Sequence, residues 1–130
     1  MQDRPTVLEL LDAVRGFLER DVVPALDGPR RFHALVAANV LAIVRRELDG
    51  EEERLLAEWR RIAPLVDDTR PAPSGLSALR SAVGEATTDL ADRIRRGDAD
   101  TDPVRAAVRR AVRDTVVEKL RVANPRFLAG

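Results

Sequence analysis

Residues 34–44 read ALVAANVLAIV, and this run limits the possible folds more than any other stretch of the chain. A helix turns about 100° per residue, so a segment of this length covers its whole circumference. Only Asn39 within it is polar. A surface helix needs apolar cover along one side, whereas a helix that is apolar all round needs it on every side. Two arrangements meet that demand. The helix lies at the centre of a bundle with the others around it, or it lies half in the core and half in an interface with a second copy of the chain. The run falls well short of the ~20 apolar residues that a membrane-spanning helix requires.

The rest of the chain also repeats near 3.6 residues, and no segment alternates with period two, so the fold class is all-α. The pattern predicts a single-domain five-helix bundle over residues 1–130, with a central, nearly all-apolar second helix. In the first helix Thr6 and Glu9 form a capping box, Val7, Leu11, Val14 and Leu18 make the stripe, and Pro24 ends or kinks it. The second follows the Asp27, Gly28, Pro29 turn and runs to Leu48, before Asp49 and Gly50. The third spans 51–66, with Glu51, Glu52 and Glu53 at the positive end of its dipole and Leu55, Leu56, Trp59, Ile62, Ala63 and Val66 on one face. Residues 67–75, DDTRPAPSG, are the one long loop and the segment expected to be mobile.

The fourth helix begins near Ser74 or Ser77, sets Leu76, Leu79, Val83, Ala86, Leu90 and Ile94 at helical spacing, and stops at Gly97. The fifth opens on Asp102 and Pro103 and runs to Ala123, where Asn124 and Pro125 halt it. Its apolar face starts on Val104, Ala107, Val108 and Ala111, then drifts through Val112, Val116 and Leu120. Phe127 and Leu128 in the tail are expected to fold back onto the bundle.

Composition removes whole classes of function. The 22 basic and 22 acidic side chains cancel, so no overall field draws the chain to nucleic acid or to an anionic membrane. Base-stacking platforms are scarce, the aromatic set being Phe17, Phe32, Trp59 and Phe127. Cysteine is absent, which excludes disulfides, thiol catalysis and thiolate metal sites and fits a cytoplasmic location. The start, MQDRPTVLELL, lacks the basic and apolar regions of a secretory signal.

Catalytic sets fail one by one. His33 is the single histidine, and Ser74, Ser77 and Ser81 sit in no strand-to-helix elbow, so a Ser-His-Asp arrangement is not supported. Arg30 occupies the position three before His33 where a carboxylate-bridged dimetal bundle needs Glu. Asp98, Asp100 and Asp102 start like a calcium loop, but Pro103 replaces its turn glycine and Arg109 its final Glu. No Gly-rich loop precedes a lysine, and Lys119 is the sole lysine, so a phosphate cradle is excluded. No metal, no cofactor and no enzymatic activity are expected.

What remains is binding. Arg105, Arg109 and Arg113 recur every four residues along one ridge of the fifth helix, as a solvated face or as a docking ridge for an acidic protein partner. Asn39 falls within roughly 20° of Phe32 on the helical wheel and near Val36 and Ile43, so it faces a core or an interface and needs a hydrogen-bond partner there. His33 points roughly 120° away from Asn39. Each is read as an internally hydrogen-bonded residue or as part of a ligand site with Arg31 and Arg126.

The segments QDRPT (2–6), RFHALVAANVLAIVRREL (31–48) and NPRFL (124–128) resemble an uncharacterised family of small all-helical bacterial proteins, and the likeness covers essentially the whole chain. The resemblance implies genes often encoded beside aminoglycoside-phosphotransferase-like kinases and acyl-CoA dehydrogenases, with no assigned activity. Leu35 stands where that family leads one to expect a basic residue and Phe127 where it leads one to expect Tyr, which argues against polar roles at both positions. The function expected is therefore that of a non-catalytic helical accessory protein that binds a partner protein, such as the kinase-like enzyme, or a second copy of itself. The alternative is a bundle that binds a small molecule or acyl thioester, with Arg31, His33, Asn39 and Arg126 around a pocket.

Overall fold

A computed structural model describes residues 3–130; Met1 and Gln2, part of the opening segments read above, lie outside the described residues. The described residues are helical with no strand, and they pack as two compact units. The first holds everything described up to Asp49 together with Val122–Asn124, and the second holds Gly50–Arg121 with Pro125–Gly130.

In the first unit, α1 (Val7–Phe17) starts on the expected capping box: Thr6 Oγ1 accepts from Glu9 N at 3.2 Å and Glu9 Oε2 accepts from Thr6 N at 2.8 Å. The helix then widens into one π-helical stretch, Leu18–Val22, where Val23 N donates back to Leu18 O. Pro24 is the cause: it has no N–H for the Arg20 carbonyl and its ring crowds that group, so the chain loosens and then tightens into a 3-10 turn, Val23–Ala25. Helix α2 (Gly28–Leu48) packs on α1 through small groups, with Gly16, Ala34 and Ala38 buried. Arg45 locks the pair, its Nε donating to both oxygens of Asp12 at 2.8 and 2.9 Å. Arg46 Nε donates to Val122 O at 2.7 Å and ties the end of α2 to the last turn of α5 (Val104–Ala123).

Two residues join α2 to α3 (Glu51–Ile62), and Gly50 makes so short a turn possible by taking φ +71°, which disfavours any side chain. In the second unit, α3 continues into a 3-10 turn, Ala63–Val66, and packs on α4 (Leu76–Arg95). Helix α4 buries Leu79, Val83, Ala86 and Leu90, an unbroken stripe at helical spacing, and Leu79 is only 1% exposed. One cluster joins Ile62, Val66, Ala86, Leu90 and Val108; another joins Trp59, Ala63 and Val83. A short helix, α6 (Pro125–Ala129), follows Asn124.

Three expectations change. The second helix is not covered all round among the described residues: only Ala34 and Ala38 are buried, while Phe32, Leu35, Val36, Val40, Val44 and Leu48 are 39–63% exposed. The reason is steric, since the small residues admit α1 closely on one side and leave the branched and aromatic side uncovered. The stripe of α1 is likewise mispositioned, with Val7 and Val14 exposed and Leu8, Leu11 and Leu18 half-buried. The tail does not bury its apolar residues; it winds into α6 with Phe127 and Leu128 exposed.

Candidate functional site

Two features of the described residues merit a functional reading, and each belongs to one unit. The first is the outer side of α2. Phe32, Val36, Asn39 and Ile43 follow one another at intervals of four, three and four residues, flanked by Leu35, Val40 and Val44. That spacing puts them on one side of a helix, the seam pattern by which helices pair. Asn39 sits in the middle, exposed, and its side-chain amide makes no hydrogen bond among the described residues. His33 is exposed as well, its ring 5.9 Å from that of Phe32 and tilted by 55°. The expected internal hydrogen bonds for these two side chains are therefore not made among the described residues, where both side chains stand exposed.

The second feature is a cleft of about 450 Å³ in the second unit, lined by Pro64, Leu65, Leu90, Ala107 and Val108 among others. Arg93 stands at its edge and organises it. The guanidinium donates to Asp67 Oδ2 at 2.7 Å, Asp89 Oδ1 at 3.1 Å and Val66 O at 2.8 Å. Donating to the carboxylates of Asp67 and Asp89 pushes the Arg93 pKa further above its ordinary value. The fork thus closes the end of the 3-10 turn, whose last carbonyls have no helical partner, and it is already occupied by carboxylates. Residues 67–75 leave from here as irregular chain, and their first turn is pinned. Asp68 takes two side-chain donors and one backbone N–H from Arg70, and these hold its carboxyl down at about 2.

Arg31, His33 and Asn39 all lie exposed on α2 and none lines the cleft, while Arg126 belongs to the other unit. On α2 itself the wheel separates His33 from Asn39 by roughly 120°. Arg105, Arg109 and Arg113 are all exposed; Arg105 donates to Asp102 at 2.9 Å, and the other two make no ion pair among the described residues. The drift of the α5 stripe is visible in burial: Val108 and Ala111 are covered, whereas Val112 and Val116 stand exposed beside the arginines.

Sequence reasoning missed the hub role of Arg93. The Asp89 partner four residues earlier was the available signal. It also missed three buried polar atoms with no partner among the described residues, Trp59 Nε1, Arg61 Nε and Thr115 Oγ1. Among the described residues, no three side chains of the metal-binding types come together, and no helix is long and apolar enough to cross a membrane.

No curated protein and no solved structure matches the chain at a significant level. A family model does match, over residues 24–127, and this stretch takes in α2, the cleft of the second unit and the arginine ridge. The chain belongs to the family described as a domain of unknown function, DUF6285.

Proposed function

We propose that the protein is a non-catalytic helical interaction protein, and that the outer side of α2 is the surface it offers. The supporting observation is that Phe32, Leu35, Val36 and Val40 are each 44–63% exposed, on a helix with hardly any polar residue at its centre. A contiguous apolar patch of this kind on a small domain marks a place where another surface docks. Balanced charge and the lack of a complete catalytic set in the sequence agree with that reading. The resemblance to proteins encoded beside aminoglycoside-phosphotransferase-like kinases makes such a kinase the first heterologous partner to try, in the cytoplasm of a bacterium.

The test is direct. Purified chain and kinase are titrated by calorimetry, alongside the double variant Val36→Asp, Val40→Asp, which places two charges on the patch without touching a buried residue. Specific heat for the native chain, lost in the variant, supports a heterologous interaction. If neither the kinase nor a second copy binds, and the variant behaves as the native chain in every association assay, the reading is wrong.

The alternative, a protein that binds a small molecule or acyl thioester, has the cleft in its favour, since about 450 Å³ lies within the usual range for ligand sites. Its walls suit an acyl chain, but its guanidinium is committed to Asp67 and Asp89. A fatty-acyl ligand series followed by Trp59 emission would decide it, because Trp59 lies in the same unit.

A further inference from the structure

We infer that the cleft of the second unit binds a small molecule made of an apolar body and a protonated primary amine, with the amine held at the rim by Asp67 and Asp98. This site lies in the other unit from α2, so it is independent of the interaction reading, and it gives the small-molecule alternative a definite ligand class. The walls supply the apolar part. Leu90 and Val108 are core residues, and beside them Val104 and Ala107 of α5 leave a cleft of about 450 Å³, a size usual for small ligands. An apolar body seated there displaces water from side chains that cannot hydrogen-bond to it.

Charge decides what the body carries. Arg93 is the only cation lining the cleft, and the five N–H donors of its guanidinium are already directed at the protein. Nη1 donates to Asp67 at 2.7 Å and to Leu65 O at 3.5 Å, Nη2 to Val66 O at 2.8 Å and to Asp89 at 3.5 Å, and Nε to Asp89 at 3.1 Å. A carboxylate or phosphate entering the cleft therefore has to displace one of these bonds. It also meets an excess of negative charge, since Asp67 and Asp89 outnumber the single guanidinium and Asp98 adds a carboxylate at the rim. Asp98 pairs with Arg96, which stands outside the lining. A cation is drawn in by the same field.

Two acceptors stand ready to receive it. Asp67 Oδ1 and Asp98 Oδ1 accept no hydrogen bond among the described residues. Asp67 is set in place beforehand: φ +56° puts its backbone in the left-handed region that Asp tolerates, and Arg93 holds its other oxygen. No aromatic side chain lines the cleft, so a quaternary ammonium finds no ring face to rest on. Recognition falls instead to charge-assisted N–H bonds, and a primary ammonium brings three donors to these carboxylates.

The full chain is titrated with n-octylamine and, separately, with octanoate at neutral pH, the methyl signals of Leu90, Val104 and Val108 being followed by NMR. Octylamine is expected to shift them with an affinity about tenfold or more above that of octanoate, and to bind more weakly as salt is added. Asp67→Asn keeps an oxygen for Arg93 and tolerates the left-handed backbone, so it removes the charge and leaves the tie. Combined with Asp98→Asn it is expected to weaken octylamine by about tenfold, at about two- to fivefold per exposed ion pair, and to leave little preference over octanoate. Asp92→Asn takes the same charge from an exposed position outside the lining and should leave the affinity within about twofold. Should circular dichroism show the double variant unfolded, the exposed Asp98→Asn change alone is expected to weaken octylamine by about two- to fivefold. Octylamine binding that survives the loss of these carboxylates overturns the inference, as does an equal loss with Asp92→Asn. Octanoate bound more tightly at the same methyls also overturns it and leaves the acyl alternative standing; no shift with either ligand ends the cleft as a small-molecule site.

Discussion

Truncating Leu79 to alanine tests the core of the second unit at its best-covered point. The side chain is 1% exposed and belongs to the α4 stripe that faces α3. The change deletes three carbon groups, which at ~0.8 kcal/mol each is about 2.4 kcal/mol of lost transfer energy. The space left behind adds to this, by about 24 cal/mol for each Å³ that the neighbours fail to fill. A loss of about 3 kcal/mol is therefore expected, within the ~2–5 kcal/mol range of such truncations. Urea unfolding followed by Trp59 emission is the suitable assay, since the single tryptophan is buried in the same unit and reports that unit's transition. With a urea slope of ~1–3 kcal/mol/M, the midpoint should drop by about 1–3 M with the slope unchanged. A shift equivalent to less than ~1 kcal/mol would mean that Leu79 is not enclosed by α3 and α4, and the packing described for this unit would be refuted.

Three further outcomes are expected. The Asp68 carboxyl, followed by NMR, should titrate near 2, not at its ordinary 3.8, and Arg70→Ala should return it toward the ordinary value. Because the folded-state pKa is depressed, the Arg70 tie contributes stability above about pH 4 and loses it as pH falls toward 2. Thr6→Ala removes the acceptor for Glu9 N and should cost about 0.5–2 kcal/mol in the first unit, seen as faster amide exchange in the first turn of α1. Arg109→Glu with Arg113→Glu should change stability by no more than about 0.5 kcal/mol in urea unfolding, as both are exposed without ion pairs among the described residues. If the pair also leaves every partner interaction intact, the ridge on α5 is a solvated face and not a docking element.

Helix positions were legible because they depend on neighbours in sequence. The Thr6 and Glu9 capping box, the Gly50 turn and the α4 stripe from Leu79 to Leu90 are each set by residues within a few turns. The disruption at Pro24 was also legible, though not its form: a missing N–H announces a break, while whether the chain kinks or loosens into a π turn depends on what surrounds it. The candidate site was legible only in part. The segment 34–44 stood out at once, but the partners of Asn39, His33 and Arg93 are fixed by residues distant in sequence or by another molecule.

The sequence by itself determined that this chain is helical, where its first five helices begin, and that the second of them carries more apolar surface than one packed side can use. Tertiary structure alone decided which side of α2 meets α1, that Arg93 spends its fork on Asp67, Asp89 and the carbonyl of Val66, and that the seam around Asn39 is left open. Periodicity records how strongly each side of a helix avoids water. It does not record which neighbour provides the cover, because burial is non-directional and depends on which surfaces fit closely enough to exclude solvent.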